Sequence, residues 1–370
     1  MALLNDSHHG GNVYAAARRL GRTVDQLIDF SASINPLGPA PGAVQAIRRA
    51  RSLEHYPDPD CWALRQALAS HWRCSANQIV IGNGSTELIH LLPEALQLRH
   101  LLVIGPTFSE YAHAMERFGG RVSMVLAERA DGYAPPLARA IEAMRVNKAK
   151  RKGGAPIDAV VLCNPNSPTG QACSVQEVKH LAGIAQRRRI RLILDETFAD
   201  YCEERSILPM TNKIENAIVL RSFTKFFGLP GLRIGYLVTK ADIAQRIRAR
   251  QLPWSVNALA QEAALAALSD GRHARRSRSF MVRERARFHT RLRQVSGCVA
   301  FPSLANFLLM ELPIGRQART VTAALHRQGI LVRDCSTVPG LNSRSIRMAV
   351  RTRRENDRLV RALADLLHSR

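Results

Sequence analysis

The sequence predicts an α/β fold with a mainly parallel central sheet, followed by a smaller α+β domain. Between about residues 75 and 240, short segments rich in Val, Ile and Leu alternate with amphipathic helical patterns, which is typical of a sheet covered on both faces. After residue 255 the pattern changes to long helices, two apolar segments and a terminal helix. The predicted central strands are QIVIG (78–82), HLLVIG (100–105), DAVVLC (158–163), RLILD (191–195), AIVLR (217–221) and RIGYLV (233–238).

The chain divides into three predicted parts. Residues 1–40 hold one amphipathic helix and an extended segment, FSASINPLGP. Because they are too few to fold alone, we expect an arm that packs on the small domain or on a partner subunit. Residues 41–255 form the predicted large domain, in which NKAKRKGG (147–154) reads as an exposed loop. Residues 256–370 form the predicted small domain, with strands at FLLMEL and GILVRDC and a terminal helix from about residue 354.

The composition is that of an ordinary globular protein, since 46% of the 370 residues are hydrophobic and 22% are charged. No segment approaches the roughly eighteen apolar residues of a membrane span. The N-terminus, MALLNDSHHGGN, lacks the basic and apolar regions of a secretory signal. The seven cysteines are scattered, without a C-x-x-C pair. We therefore expect a reduced, cytoplasmic protein with no disulfide framework, no metal site and no membrane contact.

The charge is unusual, with 53 Lys and Arg residues against 30 Asp and Glu residues and a formal net charge of +23. Such a balance can serve nucleic acid, an anionic membrane surface or an anionic substrate. No basic segment is interleaved with stacking aromatics, which total only 5% of the residues. We therefore favour a solvated basic surface over a nucleic-acid partner. Attraction of an anionic substrate is the second interpretation.

One lysine, Lys225, stands in the apolar segment SFTKFFGLPGLRIGY, residues 222–236, where lysine usually extends its amine to solvent. Here it follows a predicted strand and precedes a glycine-rich loop. The hydroxyls of Ser222 and Thr224 and the guanidinium of Arg233 lie close in sequence. A lysine in an apolar pocket has a lowered pKa and can attack an aldehyde, and arginine suits a phosphate. The combination predicts a lysine bonded to pyridoxal phosphate.

Other segments meet the further needs of that cofactor. In GNGSTEL (82–88), Ser85 and Thr86 open a predicted helix whose amides can hold a phosphate. Asp195 ends a predicted strand, where a carboxylate faces the ligand crevice of an α/β sheet and can keep the pyridine nitrogen protonated. Phe108, just after another strand end, can stack on the ring. The chain therefore offers each group that the cofactor requires.

Several motifs carry a family resemblance. SFTKFFGLPGLRIGY, LCNPNSPTG, LILDETF and GNGSTEL together resemble the fold-type-I pyridoxal-phosphate enzymes, in the branch that contains the histidinol-phosphate aminotransferases. HGGNVYAAARRLG, DFSASINPLGP, YPDPD, PWSVNALA and VRDCSTVPGLNSRSIRMAVRT are similar to the threonine-phosphate decarboxylase family of cobamide biosynthesis. The similarity covers about residues 3 to 368.

The resemblance implies the fold-type-I transferase fold and the cofactor contacts. Lys225 is implied to bond the cofactor aldehyde, Asp195 to pair with the pyridine nitrogen, and Phe108 to stack on the ring. Tyr56 is implied to reach the phosphate from the other subunit of a homodimer. The residues implied to hold the cofactor phosphate are Ser85, Thr86, Ser222, Thr224 and Arg233.

The resemblance also implies the reaction, which is decarboxylation of L-threonine O-3-phosphate to (R)-1-aminopropan-2-yl phosphate for the cobamide nucleotide loop. Arg347 matches the arginine that binds the substrate carboxylate, with Asn35 assisting. His9 and Arg333 match the groups that bind the phosphate of this phosphorylated amino acid. The spacing to the two following glycines selects His9 rather than His8.

Two positions depart from the usual pattern of the branch. The family usually reads PNNPTG, and its second asparagine bonds the ring's 3′-oxygen; here Ser167 occupies that place beside Asn166. The serine hydroxyl, Asn166 or a water molecule can supply this contact. Phe198, also in the cofactor pocket, stands where the aminotransferases carry a tyrosine, which favours the decarboxylase.

Three alternatives remain open. A histidinol-phosphate aminotransferase shares every cofactor motif, and HGGN, DFSASINPLG and Phe198 argue against it. A serine-phosphate decarboxylase differs by one methyl group of the substrate, which gives only a modest preference. A pyridoxal-phosphate-binding regulator without enzymatic activity would carry a winged-helix domain ahead of the cofactor domain, where this sequence has only about forty residues.

Overall fold

The computed structural model describes residues 10–50, 54–146 and 155–368, so the predicted loop at 147–154 lies outside the described residues. The strands are β1 Ile28–Asp29, β2 Ile79–Gly82, β3 His100–Gly105, β4 Arg121–Leu126, β5 Ala159–Cys163, β6 Arg191–Asp195, β7 Ala217–Ser222, β8 Gly235–Val238, β9 Val299–Ala300, β10 Phe307–Glu311, β11 Ile330–Leu331, β12 Arg333–Asp334 and β13 Ser345–Ala349. The helices are α1 Val13–Leu20, α2 Pro41–Arg49, α3 Trp62–Trp72, α4 Gly84–Leu96, α5 Glu110–Arg117, α6 Leu137–Val146, α7 Val175–Arg187, α8 Ala241–Arg248, α9 Ala258–Ser269, α10 Gly271–Arg293, α11 Ala318–Arg327 and α12 Arg353–His368.

The central sheet has the strand order β2-β8-β7-β6-β5-β3-β4. Its strands are parallel except for β8, which runs antiparallel to both β2 and β7. All six predicted central strands are present, and the mainly parallel sheet confirms the predicted fold class. Strand β4 was not predicted; it is an edge strand in which most side chains are only partly buried.

The buried strands supply both faces of the sheet with apolar side chains. On β6, Leu192 and Leu194 belong to one hydrophobic core, and Ile193 belongs to the core on the opposite face. This is the alternation that the pleat of a strand imposes. Because helices cover both faces, the strands read as continuous apolar segments rather than alternating ones.

The second sheet is antiparallel, with the order β12-β13-β10-β9. Leu308 and Met310 on β10 pack with Phe288 and Leu292 on α10 in a third core. The predicted long helices are α9 and α10, and the terminal helix α12 begins at residue 353. GILVRDC, predicted as one strand, forms the two short strands β11 and β12. Helix α9 packs on α2 and contributes its alanines to the first core, so this part of 256–370 contacts the predicted large domain.

The N-terminal segment packs against β11 and the core around α10. Strand β1 pairs in parallel with β11, with Ile28 opposite Ile330. Phe30 is fully buried in the core around α10. The segment then contacts the loop that follows β7, where the Asn35 amide donates to the carbonyl of Lys225. Within the described residues, no helix has the length and apolarity to cross a membrane.

Candidate active site

A cavity of about 230 Å³ lies where the C-terminal ends of the central strands meet the second sheet. In an open α/β sheet this edge is the usual place for a ligand. Asp195 ends β6 and Lys225 follows β7 of the central sheet, whereas Arg333 and Arg347 lie on strands of the second sheet. The other predicted residues in its wall are Ser85, Thr86, Phe108, Ser167, Phe198, Ser222, Thr224 and Arg233.

Lys225 lies in the cavity wall with its side chain largely enclosed by protein. Burial lowers the pKa of its amine from 10.5 to about 8, and the charges of Arg347 and Arg233 act in the same direction. The carboxylates of Asp195 and Asp29 oppose this effect. A lowered pKa raises the fraction of neutral amine at neutral pH, which is the form that attacks an aldehyde.

Asn35 supports the lysine segment instead of facing the cavity. Its Nδ2 donates to the carbonyl of Phe226 at 2.8 Å and to Ser277 Oγ at 2.8 Å, and its Oδ1 accepts from the Leu37 amide at 3.0 Å. Its own backbone amide donates to the carbonyl of Lys225 at 3.0 Å. The structure therefore gives Asn35 a positioning contact with the lysine, whereas its predicted contact with substrate has no support in this geometry.

Asp195, at the end of β6, is held by donors on both oxygens. The hydroxyl of Tyr111 donates to Oδ2 at 2.9 Å, and the amide of Thr197 donates to Oδ1 at 2.9 Å. Tyr111 is buried, and desolvation together with the charge of Asp195 raises its pKa well above the ordinary value. Sequence reasoning missed Tyr111, although a tyrosine three residues after Phe108 was an available signal. Its hydrogen bond orients the carboxylate toward the cavity.

The ends of β6 and β7 are tied together by a buried cation. Arg221, which precedes Ser222, is fully buried and lies 2.9 Å from Glu196 and 3.1 Å from Asp200. Glu196 follows Asp195 directly in the sequence. The ion-pair network therefore fixes the two strand ends that present Asp195 and Ser222 to the cavity.

The N-terminus of α4 offers hydrogen-bond donors that suit a phosphate. Ser85 and Thr86 lie in its first turn, where backbone amides have no helical acceptor. Gly84 has a φ of +75°, and a Cβ there would lie 2.6 Å from Nη2 of Arg233. A Cβ on Gly235 would lie 2.6 Å from the Ser85 nitrogen. Glycine at both positions thus allows a guanidinium, two hydroxyls and a helix N-terminus to surround one anion.

The second sheet presents two arginines from adjacent strands, because Arg333 on β12 pairs in register with Arg347 on β13. Arg347 donates from Nη2 to the carbonyl of Ser31 at 2.9 Å and from Nη1 to Ser167 Oγ at 2.8 Å. Its guanidinium lies 5.1 Å from the ring centre of Phe307. Burial lowers its pKa, and its Nε has no hydrogen-bond partner in the described part of the chain. An arginine held in this way can still bind an anion.

Asn166 and Ser167, which stand where the family usually has two asparagines, differ in their position relative to the cavity. Asn166 donates from Nδ2 to the carbonyl of Pro106 at 2.8 Å and to Thr169 Oγ1 at 2.8 Å, and it does not line the cavity. Ser167 does line it. Because both amide hydrogens of Asn166 are used, Ser167 is the better candidate for the predicted contact with the ring oxygen.

Besides Asn35 and Asn166, two further predicted residues are not part of the cavity wall as described. Tyr56 is 77% exposed and stacks on Trp254, with ring centres 4.5 Å apart. Its contact with a partner subunit stays a prediction. His9 lies outside the described residues. Its neighbour Gly10 lines the cavity, and a Cβ there would lie 2.4 Å from the Ser31 carbonyl oxygen.

A family model for aminotransferases of class I and II matches residues 25–363. The chain belongs to this family. Its members bind pyridoxal phosphate, and the resemblance inferred from the motifs is thereby confirmed.

Known members of the family match the chain over nearly its whole length. It is 39% identical to the threonine-phosphate decarboxylase of Salmonella typhimurium, covering 99% of this chain and 98% of that protein. It is 32% identical to a histidinol-phosphate aminotransferase of Moorella thermoacetica, covering 97% of this chain and 89% of that protein. The crystal structure of the histidinol-phosphate aminotransferase of Sinorhizobium meliloti in complex with pyridoxal 5′-phosphate has a TM-score of 0.85 and 25% identity. That match covers 97% of this chain and 95% of the solved chain.

Proposed function

We propose that this protein is a pyridoxal-phosphate-dependent decarboxylase that converts L-threonine O-3-phosphate into CO₂ and (R)-1-aminopropan-2-yl phosphate. One observation carries the proposal. Arg333 and Arg347 lie side by side on two strands and face the same cavity as Lys225. A substrate with a carboxylate and a phosphate needs two such cations beside the reactive amine. The full-length similarity to a threonine-phosphate decarboxylase supports this substrate over histidinol phosphate, which has no carboxylate.

The cavity fits pyridoxal phosphate, which supplies an electron sink for the charge left on Cα when CO₂ departs. Lys225 would hold the cofactor aldehyde. Asp195, oriented by Tyr111, would keep the ring nitrogen protonated. The N-terminus of α4, with Ser85 and its neighbours, would hold the phosphate. These contacts come from the large domain and leave the small-domain arginines for the substrate.

The positions of the two arginines would determine which bond of the substrate breaks. Arg347 would bind the carboxylate and fix the direction of the Cα–carboxylate bond, while Arg333 would anchor the phosphate. The enzyme would therefore select decarboxylation by position, which is preferential binding of one transition state. The Cα–C bond breaks, CO₂ leaves, and Cα takes up a proton. We propose that Nζ of Lys225 delivers this proton, since the amine lies in the wall of the same cavity as Arg333 and Arg347.

We also propose a homodimer. Tyr56 and Trp254 form an exposed stacked pair, and Trp62 and Leu252 nearby in sequence are 63% and 75% exposed. Large exposed aromatic and apolar side chains of this kind often mark a subunit interface. In the proposed dimer, Tyr56 would reach the cofactor phosphate of the partner subunit. Light scattering of the wild type and of a Tyr56→Ala variant tests the assembly. The Kd of the two proteins for pyridoxal phosphate tests the link between assembly and cofactor affinity.

The function is tested with three substrates offered separately to the purified protein loaded with cofactor. These are threonine phosphate, serine phosphate, and histidinol phosphate together with 2-oxoglutarate. We expect CO₂ from threonine phosphate, and less from serine phosphate because the pocket then lacks one methyl contact. Glutamate formed from 2-oxoglutarate would identify an aminotransferase instead. Absence of turnover with all three would favour a cofactor-binding regulator.

A further inference from the structure

A buried carboxylate outside the cavity joins the two domains. The side chain of Glu311, at the end of β10, is 0% exposed. From the large domain, Arg129 Nε donates to Oε2 at 2.7 Å and the hydroxyl of Tyr133 donates to Oε1 at 2.9 Å. From the small domain, Asn342 Nδ2 donates to Oε1 at 2.9 Å and Arg344 Nη2 to Oε2 at 3.5 Å. Glu311 is thus the shared acceptor of both domains.

The small-domain donors belong to the segment that connects β12 to β13, residues 335–344, which we term the wall loop. Thr337, Val338 and Pro339 of this loop line the cavity. The loop also lies against the large domain, since Gly340 has a φ of +90° and a Cβ there would lie 3.3 Å from the Leu126 side chain. Its position therefore depends on contacts with the large domain.

The two strands that flank the wall loop carry the substrate-facing arginines, Arg333 and Arg347. Glu311 is opposite Ser345 in the β10–β13 ladder, two residues before Arg347. The proposed cofactor contacts, by contrast, come from the central sheet and α4. A displacement of the wall loop would consequently alter the substrate end of the cavity and leave the cofactor end in place.

We propose that Glu311 is a positioning residue for substrate binding. It keeps the wall loop against the large domain and thereby sets the place of Arg333 and the loop residues beside the substrate phosphate. The assignment of the substrate rests on the proposed function; the effect on the loop does not. Arg129 is the charged partner from the large domain, and its side chain is 53% exposed, so this contact can be removed without opening a core.

Two variants and one control test the proposal. Glu311→Gln keeps the shape, but its amide nitrogen cannot accept a hydrogen bond from an arginine. Arg129→Met keeps much of the aliphatic stem and removes the cross-domain cation. Arg250→Met is the control, because Arg250 forms an exposed ion pair with Glu94 at 3.0 Å, apart from the wall loop.

We expect both variants to raise the KM for threonine phosphate by about tenfold, the order of one charge-assisted hydrogen bond. The kcat and the Kd for pyridoxal phosphate should stay within about threefold of the wild type, because the cofactor end is unchanged. Arg250→Met should leave all three values unchanged. Loss of cofactor binding in parallel with substrate binding would overturn the proposal, since it would mean general damage to the fold.

Hydrogen–deuterium exchange provides a measurement that needs no substrate. Amides of residues 335–344 should exchange faster in Glu311→Gln and Arg129→Met, and at the wild-type rate in Arg250→Met. Unchanged exchange of the wall loop in both variants would overturn the proposal whatever the substrate is. Faster exchange in a protein that does not act on threonine phosphate would support the role of Glu311 and reject the proposed function.

Discussion

Replacing Lys225 by methionine is expected to stabilise the cofactor-free protein at neutral pH. The amine has a pKa of about 8 in the folded protein and 10.5 in the unfolded chain. Below pH 8 both states bind the proton, so the folded state carries the full cost of the buried charge. As the pH rises from 8 to 10.5 the folded state releases its proton first, and the cost disappears.

The pKa difference sets the size of the effect. It corresponds to about 3 kcal/mol at pH 7, from roughly 1.4 kcal/mol for each unit. Because the side chain of Lys225 is partly exposed to the cavity, we reduce this to about 1–2 kcal/mol. Methionine keeps a long apolar chain and removes the charge. For a chain of this size the gain corresponds to a thermal midpoint about 1–3 °C higher.

The assay compares the thermal midpoints of the cofactor-free wild type and Lys225→Met at several pH values between 7 and 10. The gain should be greatest at pH 7 and should shrink steadily toward pH 10. Lys240→Met is the matched control, since Lys240 is 44% exposed and pairs with Glu215 at 3.2 Å. A gain that does not change with pH, or a loss of stability at pH 7, would refute the assignment of a buried, destabilised amine.

Three further substitutions probe the contacts around the cavity. Tyr111→Phe removes the hydrogen bond to Asp195 and should weaken pyridoxal-phosphate binding by about tenfold in an absorbance titration, the order of one buried hydrogen bond; an unchanged affinity would contradict this role. Ser167→Ala removes the acceptor of Arg347 Nη1 and should raise the Kd for threonine phosphate several-fold, whereas Ser167→Thr should restore the wild-type Kd. Equal affinities of the wild type and both variants would show that the contact is dispensable. Arg221→Met leaves its two carboxylate partners buried without a cation and should lower the free energy of unfolding, measured in urea, by about 3–5 kcal/mol. If the free energy of unfolding falls by less than it does when an exposed arginine is replaced by methionine, the ion-pair network does not support the fold.

The central strands could be predicted because each is a short apolar segment that ends near a glycine or a polar residue. Strand β4 could not, because an edge strand is only half covered and its sequence, RVSMVL, mixes polar and apolar residues. Strand β13 was known only as the motif SIRMAVRT. Its central arginine, Arg347, faces the cavity while Ile346 and Met348 are buried in the core. Because an arginine stands between these apolar residues, the segment did not read as a buried strand.

The candidate site, too, could be predicted only in part from the sequence. Lys225, Asp195 and Ser85 could be predicted because strand ends and helix starts of an α/β sheet meet at one edge. The position of Tyr111 near Phe108 indicated that it lies close to the site. Its hydrogen bond with Asp195 could not be predicted, since the hydroxyl reaches the carboxylate only through the packing of α5 on the sheet. The direction of Asn35 was equally hidden, because its sequence position near the site does not tell whether the amide points to the cavity or to the backbone of the lysine segment.

The pairing of β1 with β11 has a consequence for biosynthesis. Ile28 leaves the ribosome some three hundred residues before its partner Ile330. The same is true of the Ser31 carbonyl, which accepts from Arg347. A nascent chain can therefore build its central sheet before the strand that brings Arg347 into the cavity wall has been synthesised.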